Sequence, residues 1–470
     1  NEVINSELLQ GIFYTEISDH FPVFTICKKF CTNQNSSIGL NHRSLSSKNI
    51  EKFKSKLTVL NWDKVVNCSD PQRAYNLFHS KLQEAYASSF PILPKLNPYK
   101  ARKPWLTSAL KDSIRKKNKL FIIRRKFPTA INIERYRLYN KVLRSTLRKA
   151  EKEHYDSLFT KFKSNVRMSW SIIKEIINKK KTDKISDQFL VNNEMTSDKS
   201  IIASGFNNFF ANVGQSLASK IPHLSNDPTS FINESLLNSM SLESTDAHEI
   251  LNIISSLKSS SPGWDEFHMK IIKPIATLIT EPLAHVFNLS LMNGHVPSQL
   301  KRAKVIPLYK KGDKTLLTNH RPISILPAMS KILEKLMYNR LLSYFNKHNL
   351  LYKYQFGFRQ NHSPNLALIT LVDKILQSLE AGEYVCGLFL DLSKAFDTVN
   401  HKILFKKLYK YGVRGLALKW FKSYLSERSQ FVSYKDAASP DHPISCGVPQ
   451  GSILGPLLFL IYVNDIANVS

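Results

Sequence analysis

The sequence is short of acid. Its 470 residues carry 37 Asp+Glu against 66 Lys+Arg, a formal net charge of +29. A surplus of that size points to polyanions, nucleic acid first and anionic membrane second. Cysteine is scarce as well. The five residues Cys27, Cys31, Cys68, Cys386 and Cys446 are odd in number and scattered, which excludes a disulfide framework and indicates free thiols in a reducing compartment. Cys27 and Cys31 have the spacing of half a zinc site, yet no second Cys or His pair follows at finger spacing. Long apolar runs are missing too: the longest, 453–463, is interrupted by Gly455 and Pro456 and falls well short of the roughly 18 residues of a membrane span. The start shows no signal-peptide pattern. It also shows no initiator methionine, so the chain reads as processed or as a piece of something longer. Nowhere do two aspartates stand side by side.

What is present is enough for packed cores: 43% hydrophobic and 11% aromatic residues exclude a wholly disordered chain. The length leaves room for about three domains at roughly 150 residues each. The positive charge is regional. Residues 100–181 hold 25 Lys+Arg and 6 Asp+Glu, so 25 − 6 gives a local net of +19, about two thirds of the excess. Within them Leu138, Val142, Leu143, Leu147, Tyr155, Leu158 and Phe159 recur at helical spacing and predict a long amphipathic helix with a polar face of Arg and Lys. Pro104 and Trp105 open the region and Pro128 divides it into two helical halves. A solvated helical face and a nucleic-acid-binding face are equally compatible with this pattern. Asn- and Ser-rich 32–49 and aperiodic 223–245 read as linkers.

After Asp246 the pattern becomes mixed. It predicts helices over 248–257, 269–292, 328–346 and 364–379, with strands at 303–309 and 384–390. The string GLFLDLSKAFDTV at 387–399 carries the chemistry. A buried strand ending in Asp391 and followed by a small polar turn is a good mount for a divalent cation, because the strand fixes the backbone while the carboxylate projects into a cleft. A lone Asp at a strand end is more often a helix N-cap, but this string extends far beyond one residue.

It resembles the reverse transcriptases of non-LTR (LINE-type, jockey-like) retrotransposons, and further blocks occur in that family's order: SPGWD at 261–265, AKVIPLYKKGD at 303–313, NHRPIS at 319–324, YQFGFR at 354–359, and CGVPQGSILGPLLF at 446–459. Pro364 replaces the family's usual Thr after His362 and Ser363, a position the first turn of a helix tolerates. Group II intron maturases share the polymerase blocks but not an upstream nuclease tail. ISDHFPV at 17–23 resembles the last motif of the apurinic-type endonuclease that precedes the polymerase in such elements, with Asp19 orienting His20 at the phosphate.

The resemblance implies an α+β fold. It consists of right-hand polymerase fingers and a palm that stops before the Asp-Asp hairpin and thumb, preceded by a mostly helical basic region and the C-terminal remnant of an endonuclease domain. The implied division is 1–30 endonuclease remnant, 31–99 linker and helical segment, 100–222 basic nucleic-acid-binding region, 223–245 linker, and 246–470 fingers and partial palm. Carried over by position, Asp391 is the catalytic carboxylate and, with the carbonyl of Leu392, the metal ligand. Phe396 is the aromatic gate against a ribose 2′-hydroxyl, Lys310 and Arg321 grip the triphosphate, and Gln450 and Gly451 pack against the nucleotide. Asp397 reads as the cap of the next helix and Asp465 as a surface or helix-end residue.

The implied function is RNA-directed DNA synthesis primed at a nicked genomic end. Mg2+ is the cofactor; RNA template, DNA primer or target and dNTPs are the partners, with no membrane partner. The location is intracellular, as a ribonucleoprotein of nucleus and cytoplasm. Without the aspartate pair the chain itself is expected to be inert. The alternative is a non-catalytic, retrotransposon-derived RNA-binding protein.

Overall fold

The structure is a computed structural model that describes residues 8–12, 23–27, 42–93, 103–177, 188–221, 227–232 and 235–468. Asp19, His20 and Cys31 lie outside the described residues. The chain divides into two compact units, 1–42 with 92–184 and 43–91 with 185–470.

In the first unit β1 (Leu8–Ile12) pairs antiparallel with β2 (Val23–Cys27), from Leu8↔Cys27 to Ile12↔Val23. The unit's helices belong to its second segment and are numbered after the three that precede them in the chain: α1 (Ser47–Val59), α2 (Asp63–Val66) and α3 (Pro71–Ser89). Helix α4 (Ser108–Lys126) starts at Thr107, whose side chain accepts from Leu110 N–H, and stops at Phe127 ahead of Pro128. Helix α5 (Ala130–Lys161) restarts behind the N-cap Thr129, and α6 (Val166–Ile176) follows the N-cap Asn165. The predicted division at Pro128 is therefore where it falls. α4 and α5 pack on each other, burying Leu120, Tyr136 and Leu143, with Phe121 and Tyr136 rings 5.8 Å apart. The predicted apolar stripe is only partly used: Leu138 and Val142 remain 56% and 65% exposed, because α4 covers a narrower face than the sequence offers.

In the second unit, residues 43–91, read from sequence as linker and helix, share the main core with the later chain. Phe53, Tyr75, Phe78, Leu82, Tyr86 and Phe90 are packed into the cluster that holds Ile279, Leu283, Phe287 and Trp420. Polar contacts reinforce the packing: Arg43 pairs with Glu266 at 2.7 Å, and Tyr86 Oη donates to the Glu266 carbonyl at 3.2 Å. The chain returns through the hairpin β3 (Phe189–Val191)/β4 (Glu194–Thr196) and α7 (Lys199–Ala218). Then come α8 (Ala247–Ser256), α9 (Met269–Ile272) and α10 (Ala276–Asn293). The segment Met269–Asn293 is long and apolar enough to cross a membrane, and 61% of its most apolar 18-residue stretch is buried. Protein packing accounts for its composition, since Ile279, Leu283, Val286 and Phe287 are core residues.

The remaining elements are β5 (Arg302–Tyr309), β6 (His320–Ile325), α11 (Ala328–Lys347), α12 (Pro364–Glu380), α13 (His401–Lys410), α14 (Gly415–Leu425), β7 (Arg428–Tyr434), β8 (Ala437–Ala438), β9 (His442–Ile444) and α15 (Leu454–Val463). They build a five-stranded sheet in which β5 pairs antiparallel with β6 and parallel with β7, and β7 takes β8 and β9 on its other edge. Helix α7 covers the sheet through Ile202, Phe206 and Phe210, which meet Val305, Val432 and Tyr434. Fold and sequence agree on an α+β architecture.

The predicted strand at 384–390 is absent. Residues 383–392 have no regular structure, and Tyr384, Leu388, Phe389 and Leu390 are largely exposed. A strand exists only through its hydrogen-bonded neighbour, and among the described residues no strand pairs with this segment. Helix α12 ahead of it likewise buries none of its residues.

Asp265, in the SPGWD block, is 3% exposed and its Oδ2 has no partner. Burial pushes its carboxyl up to about 7, against the opposing Lys331 charge. The folded value lies above the unfolded value of about 3.9, so the group's contribution is full below the latter and is lost as pH rises through about 7. Asp265→Asn should therefore raise the melting temperature at pH 8 and change it little at pH 4. An equal shift at both pH values would contradict this.

Candidate functional site

The β5–β6 hairpin brings two cations together. Leu308 faces Arg321 and Tyr309 faces His320, and Lys310 N–H donates to the Asn319 carbonyl at 2.9 Å. Between them the turn satisfies itself. Asp313 accepts from Thr315 N–H and Oγ1 at 2.9 and 2.8 Å, Asn319 Nδ2 donates to the Asp313 carbonyl at 2.9 Å, and Tyr309 Oη donates to the Gly312 carbonyl at 2.6 Å. The two bonds from Thr315 hold the Asp313 carboxyl below its ordinary range. Lys310 and Arg321 stand exposed, and neither forms an ion pair among the described residues. A third cation shares their field: the ammonium of Lys394 is pushed down by burial, and Lys310 and Arg321 add to that push while Asp397 opposes it. Lys310 and Arg321, with Lys394 beside them, form a ready seat for a polyphosphate.

The segment 446–453 closes on this hairpin. Ser324 N–H donates to the Gln450 carbonyl at 2.8 Å. Gly451 has φ +126, and a Cβ there would stand 2.5 Å from the Ser324 carbonyl oxygen, so only glycine allows the approach. On the other side Val448 N–H donates to the Phe396 carbonyl at 2.8 Å and Gly447 N–H to the Val399 carbonyl at 2.9 Å. From behind, the buried carboxylate of Glu334 accepts from Ile453 N–H at 2.7 Å and from Tyr424 Oη at 2.8 Å. Burial pushes that carboxyl up, and the Ile453 N–H opposes the shift.

Of the residues singled out by sequence, Lys310, Arg321, Phe396, Gln450 and Gly451 thus fall on segments bonded to one another. Phe396 is half-buried, stacked 5.0 Å from Phe459 and edge-on at 5.8 Å to Phe358. Asp391 and Leu392 do not join them; both are exposed on the irregular segment. Two other readings need correction. Asp397 does not cap a helix: Asn400 caps α13, accepting from Lys402 and Ile403 N–H. Asp397 instead sits half-buried in a turn, and burial pushes its carboxyl up to about 6, with Lys394 opposing. Asp465 is no surface residue but is 4% exposed and paired with Lys407 Nζ at 2.5 Å, which also donates to the Tyr462 carbonyl at 2.7 Å.

Sequence reasoning passed over Glu334 and Arg428. Arg428 is 3% exposed; its Nη1 donates to the Tyr424 carbonyl at 3.0 Å and its Nη2 has no partner. It lines a cavity of ≈ 40 Å³ with Ser324, Asp397, Gln430, Gly447 and Gln450, enough for one ordered water. The signal was available: Arg428 falls on the inward phase of β7 with Gln430, Val432 and Tyr434, where a charge is out of place.

No group of three His, Cys, Asp or Glu able to hold a metal occurs among the described residues. Asp391 and the Leu392 carbonyl supply too few oxygens for the six or so a Mg2+ ion requires, and Asp465 is already committed to Lys407. The described residues therefore do not complete a two-cation site.

Residues 309–469 match the family described as reverse transcriptase (RNA-dependent DNA polymerase), and that range contains the hairpin turn, the 391–397 block and the 446–453 segment. The chain carries a reverse-transcriptase domain. Its relatives define the kind more closely. It is 36% identical over 229 residues to the RNA-directed DNA polymerase from mobile element jockey of Drosophila melanogaster, covering 48% of this chain and 25% of that protein. It is 35% identical over 226 residues to the probable RNA-directed DNA polymerase from transposon BS of the same species, covering 46% and 24%. The jockey protein of Drosophila funebris is 34% identical over 222 residues, covering 47% and 24%. The matched part is similar to these jockey-like non-LTR retrotransposon reverse transcriptases and spans about a quarter of the length of these curated relatives.

Proposed function

We propose that the protein acts in RNA-directed DNA synthesis by target-primed reverse transcription, and that 246–470 forms its fingers and partial palm. The observation that carries this is the convergence of Lys310, Arg321 and Lys394 with the 446–451 segment inside a matched reverse-transcriptase range. In this reading Lys310 and Arg321 hold the triphosphate of the incoming dNTP. Arg321 is the better anchor, because its planar fork matches phosphate oxygens. Gln450 and Gly451 form the floor under the nucleotide and Phe396 faces its sugar. Asp391 with Leu392 is this chain's contribution to a Mg2+ site that needs further carboxylates. RNA template and DNA primer are the macromolecular partners, the basic region 100–222 contributes to holding them, and the protein works inside the cell, in nucleus and cytoplasm, as a ribonucleoprotein. Asp19 and His20 are proposed as the remnant of a phosphate-processing endonuclease site.

Primer extension on an RNA template tests the reading. Residues 1–470 alone should give no product, and the chain extended through the segments its longer relatives carry should give RNA-dependent product. RNA binding without synthesis by the extended form would instead establish the non-catalytic RNA-binding alternative.

Phe396 offers a sharper check. If its ring excludes a 2′-hydroxyl, Phe396→Ala in the extended form should raise ribonucleotide relative to deoxyribonucleotide incorporation, seen as a change in the ratio of kcat/KM values. If the ring only packs on Phe459 and Phe358, the same change should lower stability by about 3–5 kcal/mol and depress both substrates alike. An unchanged ratio with a large fall in melting temperature rejects the gate.

A further inference from the structure

The basic region has more order than its charge count requires. Arg137, Lys141, Arg144 and Arg148 lie at spacings of four, three and four residues on α5, which sets them in one row along the helix. With Arg124 of α4 they line a groove that also contains Ile133, Tyr136, Asn140 and Ser145. No carboxylate is among these lining residues. Glu134 reaches Arg137 only at 3.6 Å, and Glu151 ends the row one turn beyond Arg148. Lys141, Arg144 and Arg148 form no ion pair among the described residues. At about 1.5 Å of rise per residue the four cations extend along roughly 16 Å of rigid helix.

We infer that this row binds the sugar-phosphate backbone of a nucleic-acid duplex, one strand lying along α5. The inference deepens the nucleic-acid role proposed for 100–222 and rests on it. A rigid row of cations suits a rigid row of phosphates, and arginine forks match phosphate oxygens. A single strand would need exposed rings on which bases stack. The groove has none to offer: its one aromatic, Tyr136, is 5% exposed and covered by the Arg124 guanidinium 5.1 Å from its ring centre. The exposed apolar residues Ile131, Leu138 and Val142 lie on another face, about a third of a turn away. The groove therefore reads charge and shape, which duplex RNA and duplex DNA both present.

The test uses the full chain and two charge-matched triple variants of exposed residues. In one, Arg137, Arg144 and Arg148 on the row become Ala; in the other, Arg135, Lys149 and Lys161 off the row become Ala. Circular dichroism checks helicity. Fluorescence anisotropy with duplex RNA, duplex DNA, a single strand of equal length and phosphatidylserine vesicles is run across a salt series. Wild type should bind duplex more tightly than single strand. The row variant should lower the slope of log K against log salt on duplex DNA by about 2.7, three phosphates at about 0.9 each, and the off-row variant should leave it unchanged. The RNA and DNA arms show which duplex is preferred. Equal losses from both variants would mean diffuse attraction and overturn the row while leaving nucleic-acid binding intact. Single strands binding as tightly as duplexes would overturn the duplex assignment. Binding to vesicles but to no nucleic acid would overturn the underlying reading as well.

Discussion

Asp391→Asn, placed in the form extended through the segments of its longer relatives, should cut DNA synthesis by orders of magnitude while template binding stays near wild type. The substitution keeps side-chain size and removes the charge proposed to hold Mg2+. The residue is exposed on an irregular segment and makes no contact whose loss would cost stability, so melting temperature should not move. This separates chemistry from folding cleanly. Equal activity of variant and wild type in single-turnover extension would remove Asp391 from the site.

The second large effect concerns stability. Lys407→Met should destabilise the polymerase body by about 3–5 kcal/mol, because it leaves the Asp465 carboxylate buried and unpaired. Its side chain is only 5% exposed, against 10% for Lys407. The double variant Lys407→Met/Asp465→Leu should recover a large part of the loss, since two well-packed apolar residues can replace a buried pair at little cost. Recovery should stay incomplete, because Lys407 also serves the Tyr462 carbonyl. The measurement is the urea midpoint of the body's own transition, kept apart from that of the helical unit. A single variant within error of wild type would show that water reaches the pair.

These two aspartates also mark where the sequence was legible. Helical periodicity located α8, α11 and α12 to within a few residues, read as one helix over 269–292 what is α9, a 3-10 turn and α10, and a short strand-like run located β5, because those signals are local. The residues proposed to face the nucleotide could be named in advance because each lies in a short contiguous string. Pairing is not local. The apolar run at 384–390 has the composition of a buried strand, but whether it becomes one depends on a neighbour that no nearby residue supplies. Asp465 looked like a helix-end residue because Lys407 is 58 positions away, and Arg428 and Glu334 escaped notice because their roles lie in contacts across the fold. The helices over 47–89 looked peripheral for the same reason: their apolar partners come far later in the chain.

That last arrangement has a consequence during synthesis. α3 packs against α10, and the two are separated by the whole helical unit. Phe78, Tyr86 and Phe90 therefore leave the ribosome roughly 200 residues before Phe287 does, which at about 5–20 residues per second is on the order of 10–40 s. Throughout that interval a cluster of aromatic side chains must wait without the surface it is shaped to meet. A nascent chain of this protein should be a better chaperone client while 92–287 is being translated than at any later point.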